Sequence, residues 1–304
     1  MKKDLLTLRD LSSDDFDSLF IRSFELKKRL GLGITDQPLQ GKTIGLIFDK
    51  ASTRTRVSFE VAMIQLGGAP LFLSAKDTQL IRNESVSDTA RALSRYLDGL
   101  VVRTYSQDLL KELAAEASIP VINGLTDLYH PCQVLSDLMT ILEKKERVNE
   151  LKIVWVGDGN NVAHSWLNAS AILGLNLVIS SPEGYLPQER ILGLAKQDAG
   201  DSIRVVSDPK EAVRGADVIY TDVWASMGQE SESVHRKKIF KPYQVDEALI
   251  GLAKKDVIVM HCLPAHRDEE ITADVLEGGH SVVWDQAENK LHMHKAVLEK
   301  YIRH

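Results

Sequence analysis

Residues 43–60 read T-I-G-L-I-F-D-K-A-S-T-R-T-R-V-S-F-E, and the period of the apolar residues changes inside that stretch. Thr43 to Phe48 is a short run rich in β-branched and aliphatic residues, of strand length, and Asp49 ends it. Ser52 is a good helix cap, and the residues after it continue with helical spacing. A strand that turns straight into a helix is half of a βαβ unit, whose strands pair in parallel. Working outward, runs of the same kind stand at Leu71 to Leu73, Leu100 to Val102 and Val121 to Ile122, separated by helix-spaced residues such as Val86, Ala90, Leu93 and Leu97. After Glu146 the alternation restarts, with strands expected at Ile153 to Val156, Leu177 to Ile179, Ile203 to Val206, Val218 to Tyr220, Val257 to Met260 and Val282 to Trp284. The expected fold is α/β: two doubly wound parallel-sheet domains. Two helical stretches stand outside the alternation, Pro131 to Lys145 and Gln286 to Ile302, the second with Leu291, His294, Leu298 and Ile302 along one face. Both are expected to join the domains as interdomain helices.

The bulk properties agree with that architecture and exclude several classes. At 304 residues the chain has length for about two ordinary domains. Its 37 Lys and Arg stand against 43 Asp and Glu, a net charge of -6, and 44% of its residues are hydrophobic. General affinity for nucleic acid is therefore not expected. Apolar runs are far shorter than the roughly 20 residues of a membrane helix, so no membrane partner is expected. Two cysteines, Cys132 and Cys262, are too few for a disulfide framework. The opening M-K-K-D-L-L-T-L-R-D-L-S-S-D-D-F is charged too early for a signal-peptide core, so a cytoplasmic location is expected.

In open α/β sheets ligands bind beyond the carboxyl ends of strands, and polar clusters there are the places to look for chemistry. Ser52, Thr53, Arg54, Thr55 and Arg56 follow the first strand and open a helix, whose free N–H groups and dipole favour an anion. A P-loop is absent, so a nucleoside triphosphate is not indicated. The plain alternative is a capped helix with solvated arginines. Arg103 ends the strand Leu100 to Val102, and His130 and Gln133 open the helix at Pro131, so three strand ends offer donors. Together they would hold a phosphate with guanidinium groups and offer Thr55 and His130 to a carbonyl oxygen becoming negative.

In the second half, Gly157, Asp158, Gly159, Asn160 and Asn161 resemble a dinucleotide turn, but the third glycine position holds Val162 and the acid after the next strand is missing, so no cofactor is expected. Asn160 and Asn161 are amides suited to an amino acid's charged groups. Asp222, followed by Trp224, Ser226, Met227 and Gly228, could hold an ammonium and a carboxylate. The cluster His261, Cys262, Leu263, Pro264 and His266 matches no closed zinc spacing, and His292 and His294 point to different faces of a helix, so no metal is expected.

Taken together, S-T-R-T-R at 52–56, H-P-C-Q at 130–133, D-x-W-x-S-M-G at 222–228 and H-C-L-P at 261–264 resemble the aspartate/ornithine carbamoyltransferase family, in order along the whole chain. S-M-G and H-C-L-P resemble its ornithine-specific branch. The resemblance implies transfer of a carbamoyl group from carbamoyl phosphate to the side-chain amine of L-ornithine, giving L-citrulline and phosphate, in a crevice between domains. Residues 1–130, completed by the helix at 286–304, would bind carbamoyl phosphate; 148–285 would bind ornithine; 131–147 would be the interdomain helix. By resemblance, Ser52, Thr53, Arg54, Thr55, Gln79, Arg103, His130, Gln133, Cys262, Leu263 and Lys290 are the carbamoyl phosphate ligands, and Asn161, Asp222, Ser226 and Met227 the ornithine ligands. Cys262, Arg103 and His130 would take part in catalysis. The family is trimeric, which implies a homotrimer whose Gln79 reaches a neighbour's site. One position departs from the pattern: Lys290 stands where the family carries arginine, keeping the charge and losing the bidentate fork. The nearest alternatives are transfer to putrescine, an acylated ornithine or aspartate. A nicotinamide-dependent dehydrogenase would explain the sheet pattern but not S-T-R-T-R, and a non-catalytic relative would not require Arg54, His130, Asp222 and Cys262 together.

Overall fold

The computed structural model describes residues 3–74, 84–225 and 232–303. The chain divides into one unit of Met1–Met139 with Glu288–His304 and a second of Thr140–Ala287. Helices α1 (Ser13–Gly31), α2 (Thr53–Gln65), α3 (Val86–Leu93) and α4 (Gln107–Glu116) alternate with strands β1 (Thr43–Phe48), β2 (Ala69–Ser74), β3 (Gly99–Arg103) and β4 (Val121–Leu125). Helix α5 (Pro131–Lys145) runs from the first unit into the second.

The second unit carries β5 (Lys152–Val156), α6 (Asn161–Leu173), β6 (Asn176–Ser180), α7 (Glu189–Ala199), β7 (Ile203–Val205), α8 (Pro209–Val213), β8 (Val218–Thr221), α9 (Ser233–Phe240), α10 (Glu247–Ile250), β9 (Ile258–His261) and α11 (Ala273–Glu277). Helix α12 (Val283–Ile302) begins there and ends in the first unit. The boundary between units thus falls inside α5 and α12 rather than at their ends.

Both sheets are parallel. Among the described residues the first has strand order β2-β1-β3-β4 and the second β7-β6-β5-β8-β9. Strands β3, β4, β8 and β9 are buried along their whole length, which is why they read as apolar runs rather than alternating ones. Helices cover the faces: Leu110, Leu113 and Ala114 of α4 pack with Leu100, Val102 and Val121 in the first unit, and Val213, Leu249 and Val275 with Val154, Ile219 and Val259 in the second.

The chain reverses direction across each sheet between β1 and β3 and between β5 and β8, the two switch points where a doubly wound sheet leaves a crevice. Register aligns the exits. Phe48 lies beside Arg103, and Thr221 lies beside both Val156 and His261. The residues that follow β1, β3, β5, β8 and β9 therefore leave their sheets on the carboxyl edge.

One expected strand is absent. Val282 to Trp284 forms no strand: Ser281 makes an isolated bridge with Val259, and Val283 already opens α12. A pair of β-branched residues directly ahead of a helix with its own apolar stripe mimics a short strand in sequence. In space Val283 is buried while Trp284 is exposed, as the first turn of a helix lying on its neighbours requires.

Candidate functional site

In the first unit the polar side chains converge on the start of α2. Ser52 caps it, its Oγ accepting the Thr55 N–H at 3.2 Å, so the turn Ser52, Thr53, Arg54, Thr55 stands at the exit of β1 with first-turn amides that have no partner inside the helix. Arg54 and Thr53 are exposed, while Thr55 is buried. Lys290, on α12, is buried and donates to Thr55 Oγ1 at 3.1 Å and to Gln133 Oε1 at 2.8 Å. Gln133 in turn donates through Nε2 to Asp137 Oδ1 at 2.8 Å. One ammonium therefore ties α2, α5 and α12 together. Its countercharge, Asp137, lies one amide further away, which leaves positive potential at the head of α2.

His130, one residue before α5, is buried, and burial holds its imidazole well below the ordinary histidine range, with Lys290 and Arg103 pushing the same way. It is therefore a neutral ring at neutral pH, able to donate one hydrogen bond without adding charge. Arg103 is buried at the end of β3. Arg56 behaves differently. Its guanidinium lies over the Phe72 ring, 3.4 Å from the centroid, and pairs with Glu60 at 2.9 Å, so it braces α2 on β2 rather than joining the other donors. Helical geometry explains this: neighbouring residues point about 100° apart, and Arg54 and Arg56 lie on different faces. Lys50, buried under the Tyr105 ring and bound to Asp127, links the exits of β1, β3 and β4.

In the second unit Asp222, just past β8, is the centre. It is buried, its Oδ1 accepts from Cys262 Sγ at 3.0 Å and from the Val223 N–H at 2.9 Å, and its Oδ2 accepts from Asn160 Nδ2 at 2.7 Å. The exits of β5, β8 and β9 meet on this one carboxylate. Asn160 caps α6, its Oδ1 accepting the N–H groups of Val162 and Ala163, so its amide is fixed from both ends. Asn161 is the first residue of α6. Nearby, burial outweighs the ion pair with Arg236 at 3.2 Å and leaves the Asp158 carboxyl raised to about 6.

Gly159 has a structural reason for being glycine: a Cβ there would meet the backbone of Leu186 and Pro187 at 2.3 and 2.1 Å. That space holds protein rather than a pyrophosphate. Among the described residues Asp222, His261 and Cys262, and separately His266, Glu269 and Glu270, bring atoms of metal-binding type within 4.8 Å of one another. In the first group both ring nitrogens of His261 are already bonded, to the Leu263 N–H and to Glu270.

The structure thus brings Thr55, Gln133 and Lys290 into one network, sets Arg103 and His130 beside it electrostatically, and joins Asp222 with Cys262. Gln79, Ser226 and Met227 lie outside the described residues. Reasoning from sequence passed over Asp137, Lys50 with Asp127, the Asn160 contact with Asp222, and the His261–Glu270 pair. Only Asn160 carried a usable signal, as the polar cap directly before an apolar helical run.

The comparisons extend the pattern to the whole chain. The model described as aspartate/ornithine carbamoyltransferase, carbamoyl-P binding domain, matches residues 3–143, and that of the Asp/Orn binding domain matches 149–301. Ornithine carbamoyltransferase of Syntrophus aciditrophicus is 60% identical over 98% of this chain and 99% of its own, and that of Thermococcus kodakarensis 52% identical over 97% and 95%. The solved ornithine carbamoyltransferase of Pyrococcus furiosus superposes with a TM-score of 0.95 at 51% identity, covering 99% of this chain and 97% of that one. A likeness of this strength, running through both units and almost end to end, means that the chain belongs to the aspartate/ornithine carbamoyltransferase family.

Proposed function

We propose that this chain transfers the carbamoyl group of carbamoyl phosphate to the side-chain amine of L-ornithine, giving L-citrulline and phosphate. The observation that carries the choice of acceptor is Asp222, a buried carboxylate held by Asn160 and Cys262, which fits an amino acid's ammonium and offers nothing to the carboxylates of aspartate. The phosphate of the donor is assigned to Ser52, Thr53, Arg54, Thr55 and Arg103, with Gln79, Gln133 and Lys290 completing the set. Asn161, Asp222, Ser226 and Met227 are assigned to ornithine.

In the reaction the neutral amine nitrogen attacks the carbonyl carbon, the C–O bond to phosphate breaks, and phosphate departs with the bonding electrons as a dianion. Thr55 and His130 support the carbonyl oxygen as it becomes negative and Arg54, Arg103 and Lys290 stabilise the leaving group, while the Leu263 backbone is assigned to the carbamoyl carbonyl. The proton lost by the amine is taken by Cys262 as a thiolate, its own proton having passed to Asp222 along the hydrogen bond between them, and it ends on the departing phosphate, which leaves as the hydrogen phosphate dianion. Carbamoyl phosphate is already activated, so no covalent enzyme intermediate is needed.

The partners follow the same reading: three copies form the working assembly, each lending Gln79 to a neighbour. Exposed Val57, Ile64 and Leu71 around α2 and the edge strand β2 support such self-association. No disulfide joins the two cysteines, which suits a cytoplasmic location, and among the described residues no helix is long and apolar enough to cross a membrane. Citrulline formation from carbamoyl phosphate and ornithine, measured beside putrescine and aspartate, tests the activity; a folded protein that makes no citrulline refutes it. Light scattering tests the trimer. Mixing Arg54→Ala with Gln79→Ala chains should restore part of the activity if sites are shared.

A further inference from the structure

Strand β9 ends at His261, whose side chain is wholly buried and doubly bonded. Its Nδ1 accepts the backbone N–H of Leu263 at 2.9 Å, and its Nε2 lies 3.0 Å from Glu270 Oε1. A ring nitrogen that accepts an amide N–H carries no proton, so the ring proton sits on Nε2 and is donated to Glu270. Glu270, equally buried, accepts the His266 N–H on the same oxygen at 2.7 Å. The His261 N–H donates to Gln286 Oε1 at 3.0 Å, and Gln286 Nε2 donates to the Tyr220 hydroxyl at 3.0 Å. The imidazole is thus fixed by the Leu263 backbone and by Glu270, and the His261 backbone by Gln286 of α12.

What this ring holds is the turn that carries Cys262. Leu263 has φ +56°, the left-handed region that a leucine rarely adopts, and its N–H is drawn back onto the side chain two residues earlier. Between the fixed ring and the strained leucine stands Cys262, with Sγ 3.0 Å from Asp222 Oδ1. A slack turn would move both the thiol and the Leu263 backbone.

We infer that His261 and Glu270 form a buried positioning pair that holds the Cys262–Leu263 turn in its reactive geometry, without touching substrate. The inference rests on the roles proposed above for Cys262 and Leu263. It differs from ordinary core packing in requiring one acceptor at one place: an asparagine at 261 can put its side-chain oxygen where Nδ1 stands, and a leucine cannot.

His261→Leu should lower kcat about tenfold or more, the usual scale for losing a residue that orients an active group, with KM for carbamoyl phosphate within about twofold. His261→Asn should recover most of that loss, and Glu270→Gln, which keeps the shape and removes the charge, should fall between. A second measurement needs no turnover: the pH profile of iodoacetamide alkylation at Cys262 should move by about half a unit in His261→Leu and stay put in His261→Asn. A folded His261→Leu protein with the wild-type kcat and alkylation profile overturns the inference. If that variant does not fold, Glu270→Gln decides by the same two readouts, wild-type values in both overturning it. Should the wild-type protein make no citrulline, the carbamoyl-transfer reading fails, and the alkylation profile still decides whether His261 positions the thiol.

Discussion

Lys290 is held as a point charge in a buried network. An arginine would grip two oxygens with its planar fork; the ammonium here is a point charge, and it is aimed by Thr55 and Gln133 instead. Lys290→Met removes the charge and strands the acceptor oxygens of Gln133 and Thr55 in a buried setting, a loss of about 1.5–3 kcal/mol. The Kd for carbamoyl phosphate, measured by calorimetry, should rise at least about tenfold. A variant that binds as tightly as wild type would show that Lys290 only pins the helices. The cysteines part company at the same scale. Burial pushes the Cys132 thiol up to about 12, whereas Cys262 is partly exposed at the end of β9. At pH 8 the native protein should therefore take up one equivalent of iodoacetamide, found by peptide mapping at Cys262. Labelling of Cys132 without unfolding would contradict the burial described for it.

At the level of elements, α12 is the piece most tightly written into the first unit. Lys27 of α1 donates to Asn289, Arg22 pairs with Glu299 at 2.8 Å, and Lys300 pairs with Asp15 at 2.7 Å, so α1 lies along α12 through polar contacts at its rim. Lys295 sits inside that contact. Burial lowers its amine from the ordinary 10.5 to about 8. The folded value lies below the unfolded one, so the cost of burying the charge is present in full below pH 8 and fades as pH rises toward 10.5. Lys295→Met should then raise stability at pH 7 by about 1–3 kcal/mol in urea melts and lose that gain near pH 10. An equal gain at both pH values would mean that the effect is apolar packing alone. Most elements were legible beforehand, because a strand buried on both faces is an apolar run and a helix is a 3.6-residue stripe. Val282 to Trp284 was misread because three residues are too few to tell those periods apart, and the neighbour that decides, Val259, stands more than twenty positions away.

For the molecule as a whole, the residues proposed for the phosphate group, Ser52 to Thr55, Arg103, Gln133 and Lys290, lie in the first unit and Asp222 in the second, each unit with its own core. Carbamoyl phosphate should therefore bind without Asp222. Asp222→Asn is expected to leave its Kd within about threefold while citrulline formation falls about a hundredfold or more, measured by calorimetry and by initial rates on one preparation. Loss of both together would mean that the two sets act as one. Net charge is a poor guide at this scale, since a chain of -6 gathers Arg54, Arg103 and Lys290 around the ends of two strands.

The amino-acid sequence by itself determined the alternation of strands and helices, the clusters at strand ends and the family motifs, because each is a property of residues near one another along the chain. Tertiary structure alone decided the pairings: Lys290 with Thr55 across 235 positions, Asn160 with Asp222 across 62, Cys262 with Asp222 across 40. It also turned Arg56 away to Phe72 and gave His261 its carboxylate. The physical reason is that a buried polar atom takes the partner its neighbouring elements bring within about 3 Å, and that partner has no periodic trace in the chain.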